Sequence, residues 1–261
     1  MNQHQLQEAA STLLKHARNR TRLAALPDAV RPATRAEAYA VQGEVARLSG
    51  RLVAGWKIAA TSKAGQEHIG VEGPIAARLL SEHVIAGELT VPMKSNVMNV
   101  AEAEFAFRMK FALPPRGRPY EIDEVMDAVD TLHLAIEVPD SRYEDFARVG
   151  AQQLIADAAC ALWLVVSPAV ADGWRATDLV SHKVVAYRNG SLAGEGSGAN
   201  VLGDPRIAMA WLANELNSIG EGLQPGQLIT TGACVAPMAV APGDTMNVDF
   251  GTFGSVEVSF S

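Results

Sequence analysis

From Arg51 onward glycine and proline cut the chain into short apolar runs, and runs of that length read as strands joined by turns rather than as long helices. Turn pairs stand at Pro225-Gly226 and Pro242-Gly243-Asp244, with alternation through Met246, Val248 and Phe250 and again through Val256, Val258 and Phe260. Residues 184–188, then Asn189-Gly190, then 191–193 carry the two-residue hairpin signal. Before residue 50 the period is helical. Leu6, Ala10, Leu13, Leu14 and Ala17 share a face, and Thr34-Arg35-Ala36-Glu37 has the form of a capping box opening a second helix that ends near Gly50. Pro27 and Pro32 break the chain between the two. Two more helices interrupt the strands, one near 122–130 and one with Asp204 as N-cap, Pro205 at its first position and a stop at Gly220. Strands closed by turns, with helices kept outside the run, predict an α+β fold: a mixed β-roll or sandwich with an N-terminal helical lobe. The expected division is residues 1–80 for the lobe and its lead-in and 81–261 for the β-roll catalytic domain.

Charge and hydropathy exclude several classes of function. With 22 Lys plus Arg against 29 Asp plus Glu the net charge is −7, and no basic block is present, so nucleic acid is not an expected partner. The longest uncharged apolar run, 158–166, is far too short to span a bilayer and ends at Ser167-Pro168, so no membrane is expected either. The N-terminus is polar, so a secretory signal is not expected there, and Cys160 and Cys234 are far apart without CxxC spacing. Both are expected to be buried free thiols in a reducing cytoplasm.

The chemistry concentrates in residues 101–111. Ala101, Ala103, Phe105, Phe107, Met109 and Phe111 share one parity of a strand and form its core face, while Glu102 and Glu104 share the other with Ala106, Arg108 and Lys110. That second face either meets solvent or gathers two like charges for a divalent cation, which turns their repulsion into attraction. Residues 132–138 are apolar except for His133 and Glu137, so Glu137 ends a buried strand and must be paired, with Arg142 close in sequence, or metal-bound. If the three carboxylates converge, an all-oxygen site suits Mg²⁺ or Mn²⁺, and zinc is disfavoured without His or Cys. Lys57 lies among apolar neighbours in 54–61; it either snorkels to the surface or is desolvated, with a lowered pKa suited to carrying a proton. His4, His16, His68, His83, His133 and His182 show no paired spacing and read as structural. There is no GxSxG elbow, and Gly194, Gly196 and Gly198 have GxGxG spacing without a following helix, which does not make a nucleotide loop.

Gly55-Trp56-Lys57-Ile58-Ala59-Ala60-Thr61-Ser62-Lys63, the Glu102-Ala103-Glu104 strand, Ala135-Ile136-Glu137 with Asp140-Ser141-Arg142-Tyr143, Ile155-Ala156-Asp157 and Thr230-Thr231-Gly232-Ala233 together resemble one family over nearly the whole chain. It is the 2-oxopent-4-enoate hydratase and 4-oxalocrotonate decarboxylase branch of the fumarylacetoacetate hydrolase superfamily. The resemblance implies Mg²⁺ or Mn²⁺ on Glu102, Glu104 and Glu137, chelated by the carboxylate and 2-oxo group of a small 2-oxo acid. It also implies a substrate-binding or proton-handling Lys57, a carboxylate pocket lined by Thr231 and Gly232, and Asp157 as an acid in or just behind that pocket.

The expected function is a cytoplasmic metal-dependent lyase of aromatic-compound catabolism, 2-keto-4-pentenoate hydratase-like, with decarboxylation or carbon–carbon hydrolysis as alternatives. A catalytically silent binding or scaffolding protein is the alternative from another class. A homo-oligomer and a partner decarboxylase or hydratase are implied as well. The chain departs from the pattern where hydratases place an Asp after the proline of the segment matching 70–74; Ile75 stands there, and Glu72 is the candidate to replace its carboxylate. Further departures are Asn99-Val100, Ala158 after Asp157, and Trp56 before Lys57.

Overall fold

Asn2 and Thr34 each accept a hydrogen bond from the third helical residue's backbone while that residue's side chain returns to the cap backbone. These two capping boxes start α1 (Gln3–Asn19) and α2 (Arg35–Ser49), and left-handed Arg20 and Gly50 end them. The computed structural model describes residues 1–86 and 90–261. Among these, the helical lobe has its own apolar cluster, in which Ala10, Leu13, Leu26 and Val41 pack with Tyr143 and Ala156.

The strands are β1 (Val53–Ala59), β2 (Ile75–Leu80), β3 (Val84–Ile85), β4 (Thr90–Val91), β5 (Val100–Met109), β6 (Val129–Val138), β7 (Trp163–Ala169), β8 (Lys183–Arg188), β9 (Ser191–Ser197), β10 (Leu228–Ala233), β11 (Met238–Ala239), β12 (Thr245–Asp249) and β13 (Ser255–Phe260). A large mixed sheet runs β2-β1-β10-β5-β6-β7-β3, with β11 also on β5, and a smaller one runs β4-β13-β12-β8-β9. Both curl, giving the mixed roll that the turn pattern predicts. Phe105 of β5 meets Phe250 and Phe253 at the end of β12, with ring centroids 5.4 and 6.3 Å apart, which fixes the small sheet over one face of the large one. β1 and β2, inside the 1–80 division, pair into the large sheet, β1 running parallel to β10.

The two shorter helices expected after residue 51 are both present, and two more join them. The helix near 122–130 is α4 (Ile122–Asp127) and stops earlier because Val129 opens β6. Helix α6 (Pro205–Ser218) begins with Asp204 as its cap, as its Asp-Pro start requires. Two helices have no counterpart in the sequence reading, α3 (Lys63–Ile69) and α5 (Ala151–Ala156), and each is too short to display a period. Phe111 is not core: the strand ends at Met109 and the ring is 57% exposed. No helix among the described residues is long and apolar enough to cross a membrane, and Cys160 and Cys234 are buried and free.

Asn189 and Gly190 hold φ of 51° and 77°, the paired positive values of a type I′ hairpin. The glycines after it have a packing reason. A Cβ on Gly196 would stand 1.9 Å from the Cys234 carbonyl oxygen, so only glycine lets β9 approach the segment after β10. Gly196→Ala is expected to lower stability by about 3 kcal/mol, as overpacking against a backbone does; an unchanged denaturation midpoint would contradict this packing.

Candidate active site

β5 and β6 pair antiparallel with Glu102 directly opposite Glu137 and Glu104 opposite Ala135, so two strands place three carboxylates on one patch. One oxygen from each lies within 4.8 Å of the others. Glu104 and Glu137 are 0% and 1% exposed, and Glu102 is partly buried, so the charged parity of β5 does not face solvent. The Gly232 N–H donates to Glu104 Oε2 at 2.7 Å. Gly232 holds φ of 107° in a break of β10 register, and a Cβ there would stand 2.1 Å from Thr61 Oγ1. Its neighbour Thr231 is fully buried and donates its hydroxyl to the Phe105 carbonyl at 3.0 Å.

Lys57 completes the group. Its strand is separated from β6 by β10 and β5, roughly 14 Å in a flat sheet at ordinary strand spacing, so only the curl lets the side chain arrive. Nζ donates to the Ala159 carbonyl at 3.0 Å and lies 2.5 Å from Glu137 Oε1, close by distance although poorly aligned for a hydrogen bond. Burial opposes the Lys57 charge, as its apolar neighbours suggest, but the Glu137 and Glu102 carboxylates outweigh burial and push its pKa up to about 12. The lowered pKa expected from sequence is therefore reversed, and the snorkelling alternative fails because the residue is buried. Arg142 does not pair with Glu137 either; it is committed to Asp157.

The residues fit a hard divalent cation. Glu104 Oε1 and Glu137 Oε2 are buried without a hydrogen-bond donor, and Glu137 Oε1 has only the Lys57 ammonium beside it, a costly arrangement unless a further cation or a proton answers it. Three carboxylates face one ammonium, which leaves negative charge in excess. Burial, then the neighbouring Glu137 charge, raises the Glu102 pKa from its ordinary 4.5 to about 7, and burial with both neighbours raises Glu104 well above its usual range. Because the folded pKa of Glu102 lies above the unfolded one, its ionisation destabilises the metal-free fold as pH rises from the ordinary value through 7. A cation must expel that proton. Mg²⁺ affinity is therefore expected to rise by at least about tenfold per pH unit as pH climbs toward neutrality; calorimetric titrations giving the same affinity at acid and neutral pH would contradict the assignment.

The cluster opens on a cavity of about 420 Å³. Its wall is mostly apolar, with Ile58, Ile69, Ile75, Met98, Phe146 and Leu154, and its polar members include Lys57, Glu102 and the backbone of Gly232. Glu72 is exposed and lies off this wall, and Asp157 and Thr231 sit behind it. His68, read from sequence as structural, reaches the wall from α3 beside Phe146. No spacing signals that position, since the helix carrying it is itself unannounced in the sequence. Cys160 also lines the cavity, but burial pushes its thiol up to about 12, so it is no nucleophile.

Acids with buried oxygens short of donors, set where a small molecule can reach one of them, suit an enzyme of the metal-dependent lyase class. Its lineage is equally plain. The fumarylacetoacetate (FAA) hydrolase C-terminal family matches residues 65–261, and the chain belongs to that family. A 4-oxalocrotonate decarboxylase of Pseudomonas putida is 35% identical over 230 residues, covering 87% of this chain and 86% of the relative. A 2-keto-4-pentenoate hydratase of Paraburkholderia xenovorans is 30% identical over 263 residues, 100% of this chain and 96% of its own. Among solved structures, 4-oxalocrotonate decarboxylase from Pseudomonas putida, complexed with magnesium and adipate, superposes with a TM-score of 0.90 at 30% identity, covering 100% of this chain and 99% of that one.

Proposed function

We propose that this chain is a Mg²⁺- or Mn²⁺-dependent lyase acting on a small 2-oxo acid or its 2-hydroxydienoate tautomer, with hydration of the 2-keto-4-pentenoate type as its reaction. The observation carrying this reading is the Glu102, Glu104 and Glu137 cluster, with buried oxygens of Glu104 and Glu137 short of donors and Glu102 opening on an apolar cavity. The relatives support it, as does the magnesium in the decarboxylase structure. A divalent ion held there supplies Lewis-acid stabilisation of the charge that develops on a 2-oxo oxygen. Lys57 is held as an ammonium and presents a proton at Nζ to the cavity. Gly232, lacking a side chain, leaves the wall open for a carboxylate, and the aliphatic wall excludes water and strengthens each electrostatic contact. The assignment extends to a homo-oligomer in the cytoplasm, working in aromatic-compound catabolism beside a partner decarboxylase or hydratase; buried free thiols suit a reducing compartment.

Ile75 favours a second reading. It is fully buried on the cavity wall, and among the described residues Glu102 is the only acid lining that wall, so no spare carboxylate is placed to activate water. Decarboxylation needs the same enolate stabilisation without that water. The test is product analysis with 2-hydroxypenta-2,4-dienoate and 4-oxalocrotonate in the presence of Mg²⁺ or Mn²⁺: added water identifies a hydratase and released CO₂ a decarboxylase. Absence of metal-dependent consumption of either acid would reject the lyase. A silent binding protein would instead bind oxalate with metal, lose that binding in Glu102→Ala, and turn nothing over.

A further inference from the structure

At the cavity wall, which Ala159 and Cys160 help to line, Ala158, Ala159 and Cys160 hold φ of 50°, 44° and 62° in succession. Three adjacent residues with a Cβ in the left-handed region are disfavoured by their own sterics, and such a turn persists only where its surroundings over-determine it. Arg142 and Asp157 supply those surroundings. The guanidinium donates to the Asp157 carbonyl, just before the turn, and to the Ala161 carbonyl, just after it, at 3.2 Å from the second. A further bond to the Asp140 carbonyl at 2.9 Å anchors the same group. The Asp157 carboxylate grips Arg142 Nε and accepts from the Arg142 backbone and from Ser141 Oγ, each at 3.0 Å. One buried side chain thus staples both ends of the strained segment.

The segment's output is the Ala159 carbonyl, which accepts from Lys57 Nζ at 3.0 Å. We infer that the Arg142–Asp157 pair is a positioning clamp: it holds the left-handed turn so that Ala159 aims the Lys57 ammonium at the carboxylate cluster. Neither residue touches the cavity, and an ion pair buried for stability alone would gain little over apolar packing. The inference rests on the reading of Lys57 as the proton-bearing group of the proposed lyase.

Arg142→Lys keeps the charge but lacks the fork that spans two carbonyls. A misplacement of Lys57 by a fraction of a bond length is expected to lower kcat about thirtyfold, with KM and Mg²⁺ affinity held within about threefold. Ser141→Ala, which removes one bond to Asp157 and spares the ion pair, is expected to lower kcat about threefold and decides the matter if Arg142→Lys does not fold. In the metal-free protein the Lys57 ammonium resonance should shift in both variants. Unchanged kcat and an unmoved resonance would overturn the clamp, and so would a loss of kcat that tracks a loss of Mg²⁺ affinity. Lys57→Met separates the two failures. If that variant is inactive while Arg142→Lys and Ser141→Ala work normally, the clamp alone falls; if it is fully active, the reading of Lys57 falls and takes the clamp with it.

Discussion

Glu137→Gln is expected to abolish metal-dependent turnover, lowering kcat/KM by roughly three orders of magnitude or more, which corresponds to about 4 kcal/mol of transition-state stabilisation. The substitution keeps the shape of a side chain that is 1% exposed, so the fold should survive. What disappears is the charge shared by the cation site and by Lys57, whose Nζ lies 2.5 Å away. Two effects then act together: the cluster loses one of its three anionic donors, and the ammonium loses its nearest counter-charge. Calorimetry with Mg²⁺ alone should show binding weakened at least as strongly as turnover. A variant that bound the ion like the parent protein would show that the three acids do not act as one site.

Lys57→Met is expected to do the opposite to binding and the same to catalysis. Removing a buried cation beside the carboxylates takes away a charge that repels a divalent ion, so Mg²⁺ affinity should hold or rise. The rate should fall on the order of a hundred- to ten-thousandfold, the usual worth of a positioned proton-bearing group. Without metal the variant leaves Glu137 with no counter-charge in a dry environment, and a stability loss of about 3–5 kcal/mol is expected when one partner of such a pair is removed. Added Mg²⁺ should recover part of it. Parallel loss of Mg²⁺ affinity and rate would make Lys57 a structural support for the cluster instead.

The parts of the fold that were readable without coordinates are those encoded within a few residues. Thr34 with Glu37, Asp204 with Pro205, and Asn189-Gly190 each specify local backbone geometry, and the structure has the capping box, the helix start and the type I′ turn at those places. Parity also put Glu102 and Glu104 on one side of a strand, which is a property of any extended chain. It did not reveal that both sides are covered, because alternation reports the contrast between faces and not what packs on each. By pattern that face either meets solvent or gathers a cation; in the structure Glu104 is buried and Glu102 lines the cavity.

What the chain determined by itself is a set of local geometries and an inventory of acids, one of them confined to an apolar strand where it needs a partner. Which partner it has was decided by register and curl. The β5–β6 register set Glu102 opposite Glu137, and the bending of the sheet carried Lys57 across two intervening strands. The pKa of Lys57 changed direction for the same reason, since burial is a local property while the carboxylates that overrule it come from residues far along the chain. Arg142 lies five residues from Glu137 yet bonds to Asp157, in the connection that joins β6 to β7. Local sterics and hydrogen bonding can be read along a sequence. Coulomb energies depend on distances through space, and those are set only when the strands close on one another.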